Sequence, residues 1–130
     1  MKLRTVFSGF SVNDQSAAKE FYTNTLGLQL DDENMGLTFL LPNGGKVFVY
    51  AKPDHQPAGF TILNLVVPDI DEAVKELTDK GVKFELYDNL YDGAQQEANG
   101  IMRSPDPAKY GPSIAWFKDP AGNILSVIQE

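Results

Sequence analysis

Apolar and polar positions along the chain change rhythm twice, in the same order each time. About residues 4–12 and again about 59–67, Val, Phe, Ile and Leu crowd into short runs bounded by aspartate and proline, which predicts a strand. Each run gives way to a helical period. In the later one Ile70, Ala73, Val74 and Leu77 recur at i, i+3, i+4 and i+7, with Asp69 as N-cap, Glu72 three residues on, and Gly81 as the stop. In the earlier one Asp14 is the cap, Ala18, Phe21 and Tyr22 share a face, and Gly27 is the stop; Ala17 at the third helical position leaves no capping box. Three more strand-like stretches follow each helix, at about 28–32, 36–41 and 46–51, then at about 82–87, 113–118 and 123–129. The predicted order is βαβββ, twice.

The residues themselves repeat. A shift of 55 lays Val12 on Val67, Asp14 on Asp69 and Ala18 on Ala73; a shift of 78 lays Pro42 on Pro120 and Gly44 on Gly122. The reading is one domain over 1–130, built from a first module at 1–51, a linker KPDHQPAG at 52–59, and a second module at 60–130. Within the second module, residues 88–112 connect two strands through a stretch far longer than the ~4–6 residues typical of such links. Tyr91, Ile101, Met102, Arg103 and Tyr110 are too apolar for a plain linker, and predict a folded flap over a pocket.

Charge and composition narrow the function classes. A net charge of −7 opposes binding to a phosphate backbone, and no run approaches the ~20 apolar residues of a membrane span, so neither nucleic acid nor membrane is an expected partner. The start MKLRTVFSGFSV has no long apolar stretch followed by a cleavage site, which predicts a cytoplasmic protein. With no cysteine there is neither a disulfide nor a thiolate site. No phosphate-loop, dinucleotide, HExxH or GxSxG pattern occurs, and the GGK at Gly44–Lys46 falls in a hairpin turn without a helix behind it. His55, the one histidine, lies between Pro53 and Pro57 and reads as a solvated loop residue; Asp31, Asp32 and Glu33 read as a solvated acidic turn. Glu20, Glu85 and Asp88 leave acid–base chemistry open, but no residue is singled out as catalytic.

The duplicated module, the opening VNDQSAAKEFYTNTLGL and the closing WFKDPAGNILSVIQ together resemble the vicinal oxygen chelate superfamily of glyoxalases, bleomycin-resistance proteins, fosfomycin-resistance enzymes and extradiol dioxygenases. The resemblance implies an α+β fold in which two βαβββ modules form a curved mixed sheet around a cavity, helices outside, often as a homodimer. It also implies a cation held by His, Glu or Gln on the first and last strands of each module. Those places fall on Phe7 and Ile62, 55 apart, and on Phe48 and Ser126, 78 apart. Two phenyl rings and an isoleucine offer no lone pair, so no metal and no other cofactor is expected.

Alternation along strands then selects a cavity face. Thr5, Gly9 and Ser11 accompany Phe7; Lys46 and Tyr50 accompany Phe48; Asn64 and Val66 accompany Ile62; Ile124 and Ile128 accompany Ser126; Ile114 and Trp116 come from the neighbouring strand. Val6, Phe10, Val47, Val49, Leu63, Leu65, Leu125 and Val127 are expected to face the helices. The candidate ligand-binding residues are Phe7, Gly9, Phe48, Tyr50, Ile62, Asn64, Ile114, Trp116 and Ser126, with Arg103 and Tyr110 from the long connection. The leading reading is metal-free binding of a hydrophobic or aromatic small molecule, as in bleomycin-resistance-type members. The alternatives are a glyoxalase-like lyase or isomerase with displaced or absent metal ligands, and an interaction module whose cavity is filled by its own side chains. Each residue also has a plainer reading, in which Phe7, Phe48, Ile62 and Trp116 are core filling and the Ser126 hydroxyl bonds the backbone. A ferredoxin-like α+β dimer is the competing fold, and it gives no reason for the shift of 78.

Overall fold

The computed structural model describes residues 1–88, 90 and 94–130, and the chain divides into two compact units, Met1–Pro57 and Ala58–Glu130. In the first unit, strand β1 (Ser8–Val12) leads to helix α1 (Gln15–Glu20), and strands β2 (Gln29–Asp32), β3 (Leu37–Leu40) and β4 (Lys46–Ala51) follow. The sheet order is β1-β4-β3-β2, with β1 parallel to β4 and the other pairs antiparallel. The Asp14 carboxylate accepts from the Ala17 N–H at 3.1 Å, which satisfies one of the free donors at the helix start. The helix does not run on unchanged to Gly27. It passes into a π-helical turn, Phe21–Thr25, closed by Leu26 N–H donating to the Phe21 carbonyl at 3.0 Å. Tyr22, fully buried, sits in that turn and gathers Phe10, Phe21 and Phe39 at ring-centroid distances of 5.7, 5.2 and 5.7 Å. Val12, Ala18, Leu37, Val47 and Val49 complete this core.

Two expectations change here. The first strand begins at Ser8, because its partner β4 starts only at Lys46, and the register opens with Ser8 opposite Val47. Val6 therefore does not face the helix and is 75% exposed. The acidic turn is paired rather than bare: Asp31 holds Lys46 at 3.1 Å, Glu33 holds Lys19 at 2.9 Å, and Asp32 accepts from the Asn34 N–H at 3.1 Å.

In the second unit, strand β5 (Thr61–Val67) leads to helix α2 (Ile70–Asp79), a short helix α3 (Pro107–Tyr110) and strands β6 (Ile114–Lys118) and β7 (Ile124–Gln129). The order is β5-β7-β6, parallel then antiparallel. Asp69 caps α2 through the Glu72 N–H at 3.1 Å, and Ile70, Val74 and Leu77 are buried against the sheet with Phe84, Phe117, Leu125 and Val127. The fourth strand expected at 82–87 is reduced to one bridge, Phe84 with Phe117. The Gln96 side chain explains this: its Oε1 accepts from the Tyr87 N–H at 2.7 Å and its Nε2 donates to the Glu85 carbonyl at 3.0 Å, taking backbone groups that a ladder would use. The result is a mixed α+β chain with one four-stranded and one three-stranded sheet.

The long connection is folded over its described length. Gln96 and Met102 form a bridge, Met102 bridges to Ile114, and Ile101 is fully buried. Tyr91 lies outside the described residues. Between β6 and β7 the buried Asp119 carboxylate locks the turn, accepting from the N–H groups of Ala121 and Asn123 at 2.9 Å each and from Asn123 Nδ2 at 3.1 Å. Gly122 supplies the left-handed backbone, φ 87°, which this turn requires.

Candidate functional site

In each unit the pleat sends one set of side chains toward the helix and the other away from it. In the first unit the outward set is Gly9 and Ser11 on β1, Thr38 on β3, and Phe48 and Tyr50 on β4, with Gly9 and Thr38 both opposite Phe48 and Ser11 opposite Tyr50. The Phe48 and Tyr50 rings stack at 5.7 Å and 19°. Two glycines make room for them. A Cβ at Gly36 would lie 2.6 Å from Phe48 Cζ, and one at Gly9 would lie 3.3 Å from the Phe48 carbonyl oxygen. Phe7 precedes β1 and is 62% exposed. With Thr5, Val6, Thr38, Gly44, Gly45, Lys46 and Phe48 it lines an open pocket of about 440 Å³, within the ~300–1,000 Å³ of ordinary small-molecule sites.

In the second unit a row crosses the sheet, Asn64 on β5 opposite Ser126 on β7, and Ser126 opposite Trp116 on β6. Ser126 is fully buried and its hydroxyl donates to Asn64 Oδ1 at 2.5 Å. The reading in which this hydroxyl bonds the backbone is thereby corrected: both neighbouring ladders use the backbone of this central strand, and the cross-strand amide is the acceptor. A second row, Val66, Ile128 and Ile114, gives an aliphatic margin. Tyr87 meets Trp116 edge-on at 5.6 Å and 78°. Burial, with a smaller push from the Glu85 carboxylate, raises the Tyr87 phenol above its ordinary pKa. Ile62 is the extra residue of a bulge between Thr61 and Leu63, so it has no partner in the ladder.

The structure sets the remaining candidates apart from these faces. Arg103 is engaged elsewhere: its guanidinium donates to both carboxylate oxygens of Asp71 on α2, at 2.8 and 2.9 Å, and to both of Glu97, at 2.8 and 3.0 Å. This pairing holds both carboxyls below their usual range. Tyr110 stands on α3, 56% exposed, with Lys109 Nζ over its ring at 5.0 Å. His55 is not merely solvated, since its Nδ1 and the Ser11 hydroxyl lie 2.7 Å apart in a half-buried hydrogen bond.

Three residues escaped the sequence reading: Tyr87, Thr38 and Gly36. The signal for Tyr87 was present, because alternation from Phe84, which packs on Phe117, puts Glu85 and Tyr87 on the other side. Thr38 was equally available from the alternation of Leu37 and Phe39. Gly36 had no sequence signal, since its role is the close approach of a ring from another strand.

Residues 5–127 match the family model of the Glyoxalase/Bleomycin resistance protein/Dioxygenase superfamily. The chain belongs to that superfamily. A curated relative from this range of similarity is the uncharacterized protein YurT of Bacillus subtilis strain 168, 28% identical over 98% of this chain and all of that one. Among solved structures, a superfamily member from Sphaerobacter thermophilus is 26% identical with a TM-score of 0.66, covering 97% of this chain and 98% of that one. TnmS3, an antibiotic binding protein from Streptomyces sp. CB03234, is 23% identical with a TM-score of 0.65, covering 99% and 98%. At that identity it shows a shared fold.

The four places to which the resemblance would assign a cation do not fit one by the chemistry of their residues. Phe7, Phe48 and Ile62 carry no donor atom, and the Ser126 hydroxyl is committed to Asn64. Among the described residues no group of three His, Cys, Asp or Glu side chains could hold a metal ion, and no helix is long and apolar enough to cross a membrane.

Proposed function

We propose that this superfamily member binds a flat, largely apolar small molecule without the help of a metal ion, in the manner of a sequestering protein. What supports the reading is the chemistry of the four places to which the resemblance would assign a cation: aromatic or aliphatic groups stand at three of them, and the fourth carries a hydroxyl bonded to the Asn64 amide. Apolar walls with a few orienting hydrogen bonders are what a small-molecule site requires. In the first unit Phe7 and Phe48 line a pocket of suitable size, with Tyr50 stacked beside Phe48; in the second unit, taken by itself, Trp116 is half-buried with Tyr87 packed against it in a T-shaped contact. The likeness to an antibiotic binding protein supports the same class of role. In this reading the protein works in the cytoplasm as a homodimer, and its charge of −7 keeps it off nucleic acid.

Trp116 is the one tryptophan, so its emission reports on the sheet face of the second unit. A panel of aromatic metabolites and cationic antibiotics is titrated into protein purified without chelator, alongside elemental analysis. Saturable quenching by at least one compound, unchanged by EDTA, is the expected result. Emission indifferent to the whole panel, or binding that disappears when a stoichiometric divalent ion is stripped out, overturns the proposal.

A further inference from the structure

We propose that Asn64 reads a hydrogen-bond acceptor on the edge of the ligand's ring system, and that Ser126 is the positioning residue that turns the amide to do so. This rests on the binding role proposed above and names the ligand class of the face that carries Trp116. Ser126 stands on the central strand of its sheet and is fully buried, so its hydroxyl proton needs an acceptor within the protein. The acceptor is Asn64 Oδ1 at 2.5 Å. With Oδ1 taken by the Ser126 hydroxyl, Nδ2 is the end of the amide left to meet another group. Asn64 is exposed, and its Nδ2 has no hydrogen-bond partner among the described residues.

The neighbours of that donor define what it meets. Trp116 lies in the same cross-strand row, beyond Ser126, with Tyr87 edge-on to it, while Val66, Ile128 and Ile114 form the next row. A flat ring system resting on the indole therefore presents its edge to two N–H donors and to little else that is polar. A ring nitrogen or an exocyclic carbonyl oxygen satisfies the amide. A bare hydrocarbon edge covers it without a bond, and a ring N–H meets it donor to donor. Ser126 touches no ligand in this arrangement; it acts only by denying Asn64 the flipped orientation, in which an oxygen would face outward and the preference would reverse.

The test uses quinoline, naphthalene and indole, which share a flat bicyclic shape and differ in offering an acceptor, neither group or a donor. Dissociation constants come from Trp116 emission, and the Asn64 side-chain amide is followed by ¹⁵N-resolved NMR. Quinoline is expected to bind roughly threefold to tenfold tighter than naphthalene, the value of one net hydrogen bond, and to shift the Asn64 amide resonances. Asn64→Asp, which removes the donor at constant size, abolishes the preference for quinoline over naphthalene. Ser126→Ala frees the amide to flip and brings the quinoline-to-naphthalene ratio to within about twofold of unity; Ser126→Thr, which restores a hydroxyl, restores the ratio. Equal binding of quinoline and naphthalene by the natural chain, or tighter binding of indole than quinoline, overturns this inference and leaves the binding role standing. If none of the three binds and the wider panel is silent too, the binding role falls and takes this inference with it.

Discussion

Replacing Gly36 by alanine tests whether the Phe48 ring occupies its place only because the facing backbone lacks a side chain. The added methyl would lie 2.6 and 2.8 Å from two ring carbons of Phe48 and 3.0 Å from the Val49 carbonyl oxygen, at a residue with φ +155°. Overpacking of this kind costs about 1–3 kcal/mol, and the unusual backbone adds to it, so Gly36→Ala should lose about 2–4 kcal/mol. At roughly 4 °C per kcal/mol for a chain of this size, the melting temperature falls by about 8–16 °C. Phe48→Ala alone, at a half-buried position, should cost about 2 kcal/mol. The double variant decides the cause. With the ring gone, the clash at its two carbons vanishes, so the two losses should fall short of additivity by at least about 1 kcal/mol, beyond the ~0.5 kcal/mol expected of independent sites. Urea unfolding followed by far-ultraviolet circular dichroism supplies all four stabilities. Costs that simply add would refute the argument, because they would mean that the ring and the glycine do not meet.

Asp119→Ala removes a buried carboxylate that accepts three hydrogen bonds and should destabilise by about 3 kcal/mol in the same assay, whereas Asp119→Asn, which keeps an oxygen for the two backbone donors, should lose about half as much. Equal losses from the two changes would show that those backbone donors do not matter. Arg103→Met should raise the titration midpoints of Asp71 and Glu97 toward ordinary carboxylate values, as read by NMR; depressed carboxyls contribute stability above their unfolded pKa and lose it as pH falls through the folded one, so the natural chain should outlast the variant in mild acid. A Glu97 midpoint unmoved by the substitution would remove Arg103 as its cause. The raised Tyr87 phenol works at the other end of the scale: its contribution is complete below the unfolded value of 10.0 and declines as pH climbs through the folded one, so Tyr87→Phe should flatten the fall in stability in strong alkali. An unchanged alkaline limb would locate that fall elsewhere.

Much of the fold was legible because local chemistry and tertiary packing agree in this chain. Asp14 and Asp69 cap the helices that their positions imply, and Val47 and Val49 alternate with Phe48 and Tyr50 as a two-sided strand requires. The misreadings arise where a part of the chain distant in sequence decides, by competing for backbone groups in one case and by failing to reach in the other. Residues 82–87 have a strand's composition, yet the Gln96 amide takes the backbone groups that pairing needs. Val6 reads as core, but no strand reaches far enough to cover it. Of the candidate site, the Asn64, Ser126 and Trp116 row followed from the period of two, because register on this sheet is regular past the bulge at Ile62. Arg103 could not be placed in the same way. Its guanidinium is drawn to a carboxylate on a helix 32 residues away in sequence, a choice that no periodicity encodes.

The parallel pairing of β5 with β7 also governs how this half of the molecule comes into being. Asn64 waits 62 residues for Ser126, and β7 is the middle strand, so β5 has no partner in its sheet until it arrives. Closing so long a loop is the slow kind of step, and the parallel pairing of β1 with β4 in the first unit is the same kind over a shorter span. During biosynthesis β5 therefore has no partner strand in its sheet until β7 has been made.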